Sequence, residues 1–309
     1  MTSQSKSFND VDNSISQQLN SNADKKDPSD NNSQQKNVKY LLKNDESEFV
    51  RLNSQHEALK LVWKSLYKAP IHDELEKGIK VLDSGCGTGC WILDMCKQYP
   101  NSIFLGTDVS TIYSVHDEIK PSNCSFDVAN VLEPLPFPDN HFDFIHQRLL
   151  VAAIPQDSWQ PVVNSFMRIL KPGGWVEFME TTDVINLSPK GARLRNLLSS
   201  GAAKRGIRSS APRELELYML NAGFVNIKAI PMLLPFGKSD MGDNTISSLF
   251  QDDFLRLYRR EAIQAVAMKY LPEIETPEDY EKFLKDVLAE YDEYNTSLLS
   301  FRFYGQKPQ

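Results

Sequence analysis

Three glycines at alternate positions, Gly85, Gly87 and Gly89, lie inside Lys80–Met95 (KVLDSGCGTGCWILDM) and constrain this chain more than any other stretch. Before them, Ile79, Val81 and Leu82 form a short apolar run suited to a strand buried in a parallel sheet. After them, Trp91, Ile92 and Met95 recur at helical spacing. Strand, glycine turn and helix open a doubly wound α/β domain. The glycines permit a tight turn and leave the backbone bare, so that a flat ligand can lie against it. The helix start adds free N–H groups and a positive dipole end, suited to an anion such as a carboxylate. A dinucleotide fingerprint, G-x-G-x-x-G, requires glycine at position 90, where this chain has Cys90. It has instead an acid, Asp83, two residues ahead of G-x-G-x-G. A turn that serves only close packing is the competing reading.

The strands that follow keep the same order. Ser102–Thr107 reads as a second buried strand ending at Asp108, about twenty residues beyond the glycines, where an acid can accept from both hydroxyls of a ribose. A helix-capping aspartate is its alternative, since Val109 and Ser110 follow. Cys124–Ala129 is a third strand, followed by Asn130 and Val131. After the turn Pro136–Asn140, His141–Arg148 reads as a fourth strand. Asp157 is placed to cap the next helix, whose inward face is Trp159, Val162, Val163, Phe166 and Leu170. Leu170-Lys171-Pro172-Gly173-Gly174-Trp175 then turns the chain into a fifth strand, Val176–Met179. Gly223–Ile227 opens a sixth strand reaching Leu234, and Ser297–Tyr304 supplies a seventh.

With the Leu-Lys-Pro-Gly-Gly stretch and this strand order, Asp83-Ser84-Gly85-Cys86-Gly87-Thr88-Gly89 resembles the first motif of the class I S-adenosylmethionine (SAM)-dependent methyltransferases. The resemblance covers about residues 37–309, with its most specific motifs between 80 and 180. It implies an α/β fold with a doubly wound, seven-stranded Rossmann-like sheet, and SAM as cofactor. Asp83, Gly85, Cys86, Gly87, Gly89 and Val109 would lie at the cofactor, Asp108 at its ribose, and Gln147 beside its methionyl part. Asn130 stands where the family usually carries an acid; its amide oxygen can still accept from the adenine amine, with the Val131 N–H on a ring nitrogen. An Asx-turn is the other role open to Asn130. The chain is further similar to methyltransferase-domain proteins abundant in fungi, some of which regulate secondary metabolism. That likeness rests on Tyr40–Glu46 with Arg51-Leu52, on His146-Gln147-Arg148, and on Pro235-Phe236-Gly237-Lys238.

The 309 residues suffice for one large α/β domain with additions. Residues 1–36 are dominated by Ser, Asn, Gln and Asp, and such a segment buries too little surface to offset ordering entropy; a disordered tail is expected. In Asp45–Tyr67, Phe49, Leu52, His56, Leu59, Trp63 and Leu66 share one helical face. His56 is either a hydrogen-bonded core histidine or a pocket residue, because this helix can cap the carboxyl edge of the cofactor strand; Tyr40 is a weaker candidate there. Residues 237–295 are a helical insertion between strands six and seven, read as helices over Ile246–Tyr270 and Pro277–Tyr291. Thr276 offers the second an N-cap, with Pro277 at its first position. The insertion is expected to act as a lid over the acceptor, with completion of the core as the alternative.

A net charge of −7 and a pI near 5.4 leave no basic footprint for generic nucleic-acid binding. No apolar run approaches the roughly 20 residues of a membrane span, and the polar N-terminus lacks a signal-peptide core. A cytoplasmic place is expected, with the nucleus left open. The four cysteines include no C-x-x-C pair, so neither a disulfide nor a metal site is expected. Methyl transfer needs an acceptor in line with the sulfonium methyl and a pocket that excludes water. The acceptor is a small molecule or a protein side chain. The alternative function is a SAM-binding regulatory subunit with little turnover, and a regulatory protein partner stays open. An NAD-linked oxidoreductase fails on Cys90 and on the Asp83 spacing. No Asn/Asp-Pro-Pro-Tyr stretch follows the fourth strand, which argues against amino methylation of nucleic-acid bases or glutamine. His56, His146, Glu180 and Asp183 lie near strand ends as possible bases, and no catalytic residue is assigned among them.

Overall fold

The computed structural model of the protein describes residues 46–112, 120–237 and 244–309. The polar tail 1–36, Tyr40 and Lys238 lie outside these described residues. Helix α1 (Glu46–Trp63) precedes a short helix α2 (His72–Lys77) and strand β1 (Lys80–Ser84). The glycine turn leads into α3 (Cys90–Gln98), and then come β2 (Ile103–Asp108), β3 (Cys124–Val128) and β4 (Phe142–Arg148). After α4 (Trp159–Ile169) the chain runs through β5 (Leu170–Ile185), α5 (Pro189–Ala203), α6 (Leu215–Ala222) and β6 (Val225–Pro235). The insertion supplies α7 (Thr245–Tyr258), α8 (Glu261–Tyr270) and α9 (Pro277–Glu293) before β7 (Ser297–Gln306).

One seven-stranded sheet has the order β3-β2-β1-β4-β5-β7-β6. The first five strands pair in parallel, and β7 runs antiparallel to both β5 and β6. Alternation along the strands explains why both faces are apolar. Leu82, Ile145 and Phe178 share a core with Trp159 and Phe166 of α4 and Met219 of α6. Their neighbours Val81, Phe104 and Phe144 pack on the opposite face against Trp91 and Met95 of α3. A third core, built from Phe254, Leu271, Tyr280, Leu284 and Val287 of the insertion, closes on Leu194 of α5.

Several details differ from the sequence expectation. Strand five extends to Ile185 because β7 offers it a full-length antiparallel partner, Ile185 facing Ser297. The single helix expected over Ile246–Tyr270 is two. Arg260 breaks it with an extended backbone (φ −65°, ψ 135°), and its guanidinium pairs with Glu48 of α1. Asp157 lies in a 3-10 turn, and no side chain caps α4. Thr276 does cap α9: its hydroxyl accepts from Asp279 N at 3.1 Å while the Asp279 carboxylate accepts from Thr276 N at 3.0 Å.

Candidate active site

All five parallel strands point their carboxyl ends at one edge of the sheet, where the glycine turn lies. Gly85 N and Cys86 N donate to Thr107 O at 2.7 and 2.9 Å, which ties the turn to β2. Gly87 has φ +55°, left-handed backbone that a branched residue adopts only under strain. A Cβ there would meet only Leu52 Cδ1, at 3.4 Å, so the turn presents bare backbone to the space above it. That space is a cavity of about 360 Å³ whose wall includes Gly85, Cys86, Gly87 and Asp108. A smaller cavity of about 60 Å³ is lined by Val109, Asn130 and Val131. Gly85, Asp108 and Leu150 belong to both walls, and Leu150 stands between the two spaces.

Seven of the ten residues expected at the cofactor therefore line these cavities, and three do not. Asp83 is buried beneath the turn, where its carboxylate meets His146 Nδ1 at 2.8 Å. Gly89 caps α3 with φ +80°, and a Cβ there would lie 2.7 Å from the Phe126 ring, so it serves close packing. Gln147 is fully buried, with both amide atoms unpartnered, in neither cavity wall. Successive strand residues alternate faces, and its neighbour Arg148 reaches the cavity instead. Asn130 is committed locally: its Oδ1 accepts from Leu132 N at 3.1 Å, the Asx-turn arrangement, and its Nδ2 donates to Glu133 at 3.0 Å. Asp108 accepts from Gly87 N at 2.9 Å and Ser110 N at 3.0 Å; burial outweighs these donors and holds its carboxyl above the usual carboxylate range.

Arg148 is the residue that sequence reasoning left out of the site. It stands at the end of β4 in the wall of the larger cavity. Its Nη1 donates to His56 Nδ1 at 3.0 Å, and no described carboxylate lies within ion-pair distance of it. Burial lowers its pKa, outweighing the more distant carboxylates of Asp83 and Asp94. His56 thus accepts at Nδ1, which leaves the proton on Nε2 to meet Asp94 Oδ2 at 3.0 Å. Burial pushes His56 down, in keeping with a neutral ring. His56, Glu57 and Asp94 come close enough to suggest a metal site, but Lys60 Nζ already occupies that place, 2.6 Å from Asp94 and 3.1 Å from Glu57.

None of the four candidate bases lines the larger cavity. His146 is stacked flat on Trp91, with ring centroids 3.8 Å apart, and burial pushes its pKa down. Both oxygens of Glu180 accept from the loop after β4, Leu150 N at 2.9 Å and Val151 N at 3.1 Å. Asp183 is paired with Arg213. The site thus offers bare backbone, an acid at a strand end and an uncompensated guanidinium, a donor set that fits an adenosyl amino acid.

The comparisons with known proteins agree. Residues 81–174 match the family model described as a methyltransferase domain. The chain is 28% identical over 279 residues to the N-methyltransferase verN of Clonostachys rogersoniana, covering 87% of this chain and 93% of that protein. It is 29% identical over 208 residues to the secondary metabolism regulator LAE1 of Cochliobolus heterostrophus, covering 64% of this chain and 66% of that one. Among solved structures, the YcgJ protein of Bacillus subtilis shares the fold with a TM-score of 0.51 at 19% identity, covering 82% of this chain and 99% of that one. Residues 81–174 are thus similar to a methyltransferase domain, and the fold and these relatives support a class I SAM-dependent methyltransferase, with SAM the cofactor that the site fits.

Proposed function

We propose that the protein transfers the methyl group of SAM to a nitrogen of a small molecule enclosed in the larger cavity. One observation carries this reading: a single cavity wall runs from the glycine turn at Gly85–Thr88 to the aromatic side chains of the insertion. Cofactor end and acceptor end therefore share one continuous space, which in-line transfer requires. The relatives named as N-methyltransferases support a nitrogen acceptor.

When bound, SAM supplies a methyl on a sulfonium, already an activated leaving group. The rest falls to the chain. The backbone of Gly85–Thr88 faces the methionyl part, and the Arg148 guanidinium answers its carboxylate. Asp108 accepts from the ribose, and Val109, Asn130 and Val131 hold the adenine edge. Leu52 and Leu59 of α1 cover the turn and keep water from the sulfonium. No base is needed for a neutral nitrogen, whose lone pair attacks and whose proton leaves afterwards.

A regulatory subunit with little turnover is the second reading. It is favoured by relatives named as secondary metabolism regulators. Calorimetry with SAM, S-adenosylhomocysteine and NAD tests the cofactor: binding of the first two and not of NAD is expected. Release of S-adenosylhomocysteine with neutral nitrogen compounds then separates enzyme from regulator. Binding of NAD in preference would overturn the proposal.

A further inference from the structure

Five aromatic rings meet at the end of the larger cavity away from the glycine turn: Phe236, Phe250, Phe254, Tyr258 and Tyr291. Phe236 is their hub. Its ring lies 5.9 Å from Phe250, 6.2 Å from Phe254 and 5.9 Å from Tyr291, centroid to centroid. Phe254 in turn stacks on Tyr258 at 4.1 Å and meets Tyr291 edge-on at 5.6 Å. The rings are thus packed face-on and edge-on against one another along that part of the wall, a lining against which a flat ring adds stacking or edge-to-face contact to apolar burial.

The charges around that end cancel. The wall of the whole cavity carries four charged side chains: Arg51, Asp108, Arg148 and Asp253. Asp108 and Arg148 stand at the turn, where SAM would lie. At the aromatic end, Arg51 Nη1 pairs with Asp253 at 2.8 Å, and Gln55 Nε2 donates to the same carboxylate at 3.3 Å. Arg51 also makes two 2.7 Å bonds to Glu48, which Arg260 pairs as well. A charged acceptor would lose its hydration there and find no counterion. A protonated amine has no lone pair, and no unengaged base in the wall could remove its proton.

Resting on the SAM reading above, we infer that the acceptor is a neutral, planar, ring-bearing small molecule gripped by Phe236, Phe250, Phe254, Tyr258 and Tyr291. A lysine side chain or another aliphatic ammonium is disfavoured. Burial keeps the phenols of Tyr258 and Tyr291 protonated, so neither adds a charge to this end.

Indole and tryptamine test this on the protein saturated with S-adenosylhomocysteine, by calorimetry. They share a ring system and differ in the ammonium arm. Saturable indole binding is expected, with tryptamine weaker by about tenfold or more. Phe254→Leu keeps the site apolar and removes one ring, and it should weaken indole roughly 3- to 10-fold while S-adenosylhomocysteine affinity holds. Phe236→Leu repeats the test from the other side of the cluster should Phe254→Leu fail to fold. Tryptamine binding as tightly as indole, indole failing to bind, or indole indifferent to the loss of a ring overturns the inference. Failure of S-adenosylhomocysteine itself to bind overturns the cofactor reading, and this one with it.

Discussion

Arg148 is the residue whose replacement says most about the site. It is a desolvated cation with one hydrogen bond among the described residues, to a neutral His56, and the described acids Asp83 and Asp94 act on it only at a distance. An anion at its free donors completes the site, and the SAM carboxylate is that anion in the proposed mechanism. A charge-assisted, hydrogen-bonded contact of this kind contributes about 2–3 kcal/mol, or roughly 30- to 150-fold in affinity. Arg148→Gln should therefore weaken SAM by that factor. Decarboxylated SAM, which lacks only the carboxylate, should bind wild type and variant within a few-fold of one another. Calorimetry on the four combinations isolates the contact as a coupling between the guanidinium and the carboxylate. Stability supplies an independent check, because removing an uncompensated buried cation relieves its desolvation. The ligand-free variant should melt no lower than wild type. Equal weakening of both ligands, or a Tm several degrees lower with ligand preference intact, would show Arg148 to be a structural cation.

Gly87→Val would place a branched side chain on backbone at φ +55° and in the cavity mouth; SAM binding should vanish while circular dichroism keeps the native signal, and unaltered affinity would sink the cofactor site. Burial pushes Glu180 up to about 8, so between its ordinary value near 4.5 and that pH the folded chain holds a proton that the unfolded chain has released. Its contribution is full below the lower value and is lost as pH rises to the upper one; wild type should lose Tm relative to Glu180→Gln between about pH 5 and about pH 9, and the opposite slope refutes the assignment. Arg51→Met leaves Glu48 and Asp253 without their shared cation and should cost about 3–5 kcal/mol in urea unfolding, whereas a loss below about 1 kcal/mol would mean that the network is solvated.

The glycine-turn end of the cavity was legible because its signals are local. Strand, glycine turn and helix lie within Lys80–Gln98, and Asp108 follows from the rule that ligands meet the carboxyl ends of parallel strands. Where expected residues fall outside the cavity walls, the reason is one of face. Gln147 and Arg148 are adjacent, and only the pairing of β4 between β1 and β5 decides which one looks outward. Asp83 sits in the motif yet turns under it to His146, a partner 63 residues away. Helices α5 and α6 were not read at all. Gly191 and Gly201 interrupt the first, while the second is short and exposes Leu217 and Leu220, so neither shows a clean apolar stripe. The aromatic chamber draws on Phe236 just past β6, on α7 and on α9, and no sequence window contains it.

The insertion was expected to act as a lid, and its contacts bear on whether it swings. Helix α7 lies along α1, and the joint is ionic and dry: Arg51 is 5% exposed and Glu48 0%, with Asp253 of α7 and Arg260 just beyond it completing the network. Lifting α7 would part Asp253 from Arg51 and Arg260 from Glu48 together. It would also open the packing of Phe250 on Leu59 and Trp63. Separating buried pairs costs several kcal/mol until water replaces them, so a flap that opens on every turnover is the poorer fit. A fixed roof is the better one, with small ligands passing beside Leu150 and the loop that Glu180 holds. Hydrogen exchange distinguishes the two. A fixed roof gives the amides of α7 protection close to that of β4 and β5, unaltered by S-adenosylhomocysteine. A working lid gives α7 low protection that rises sharply when the ligand binds, and that outcome would refute the roof.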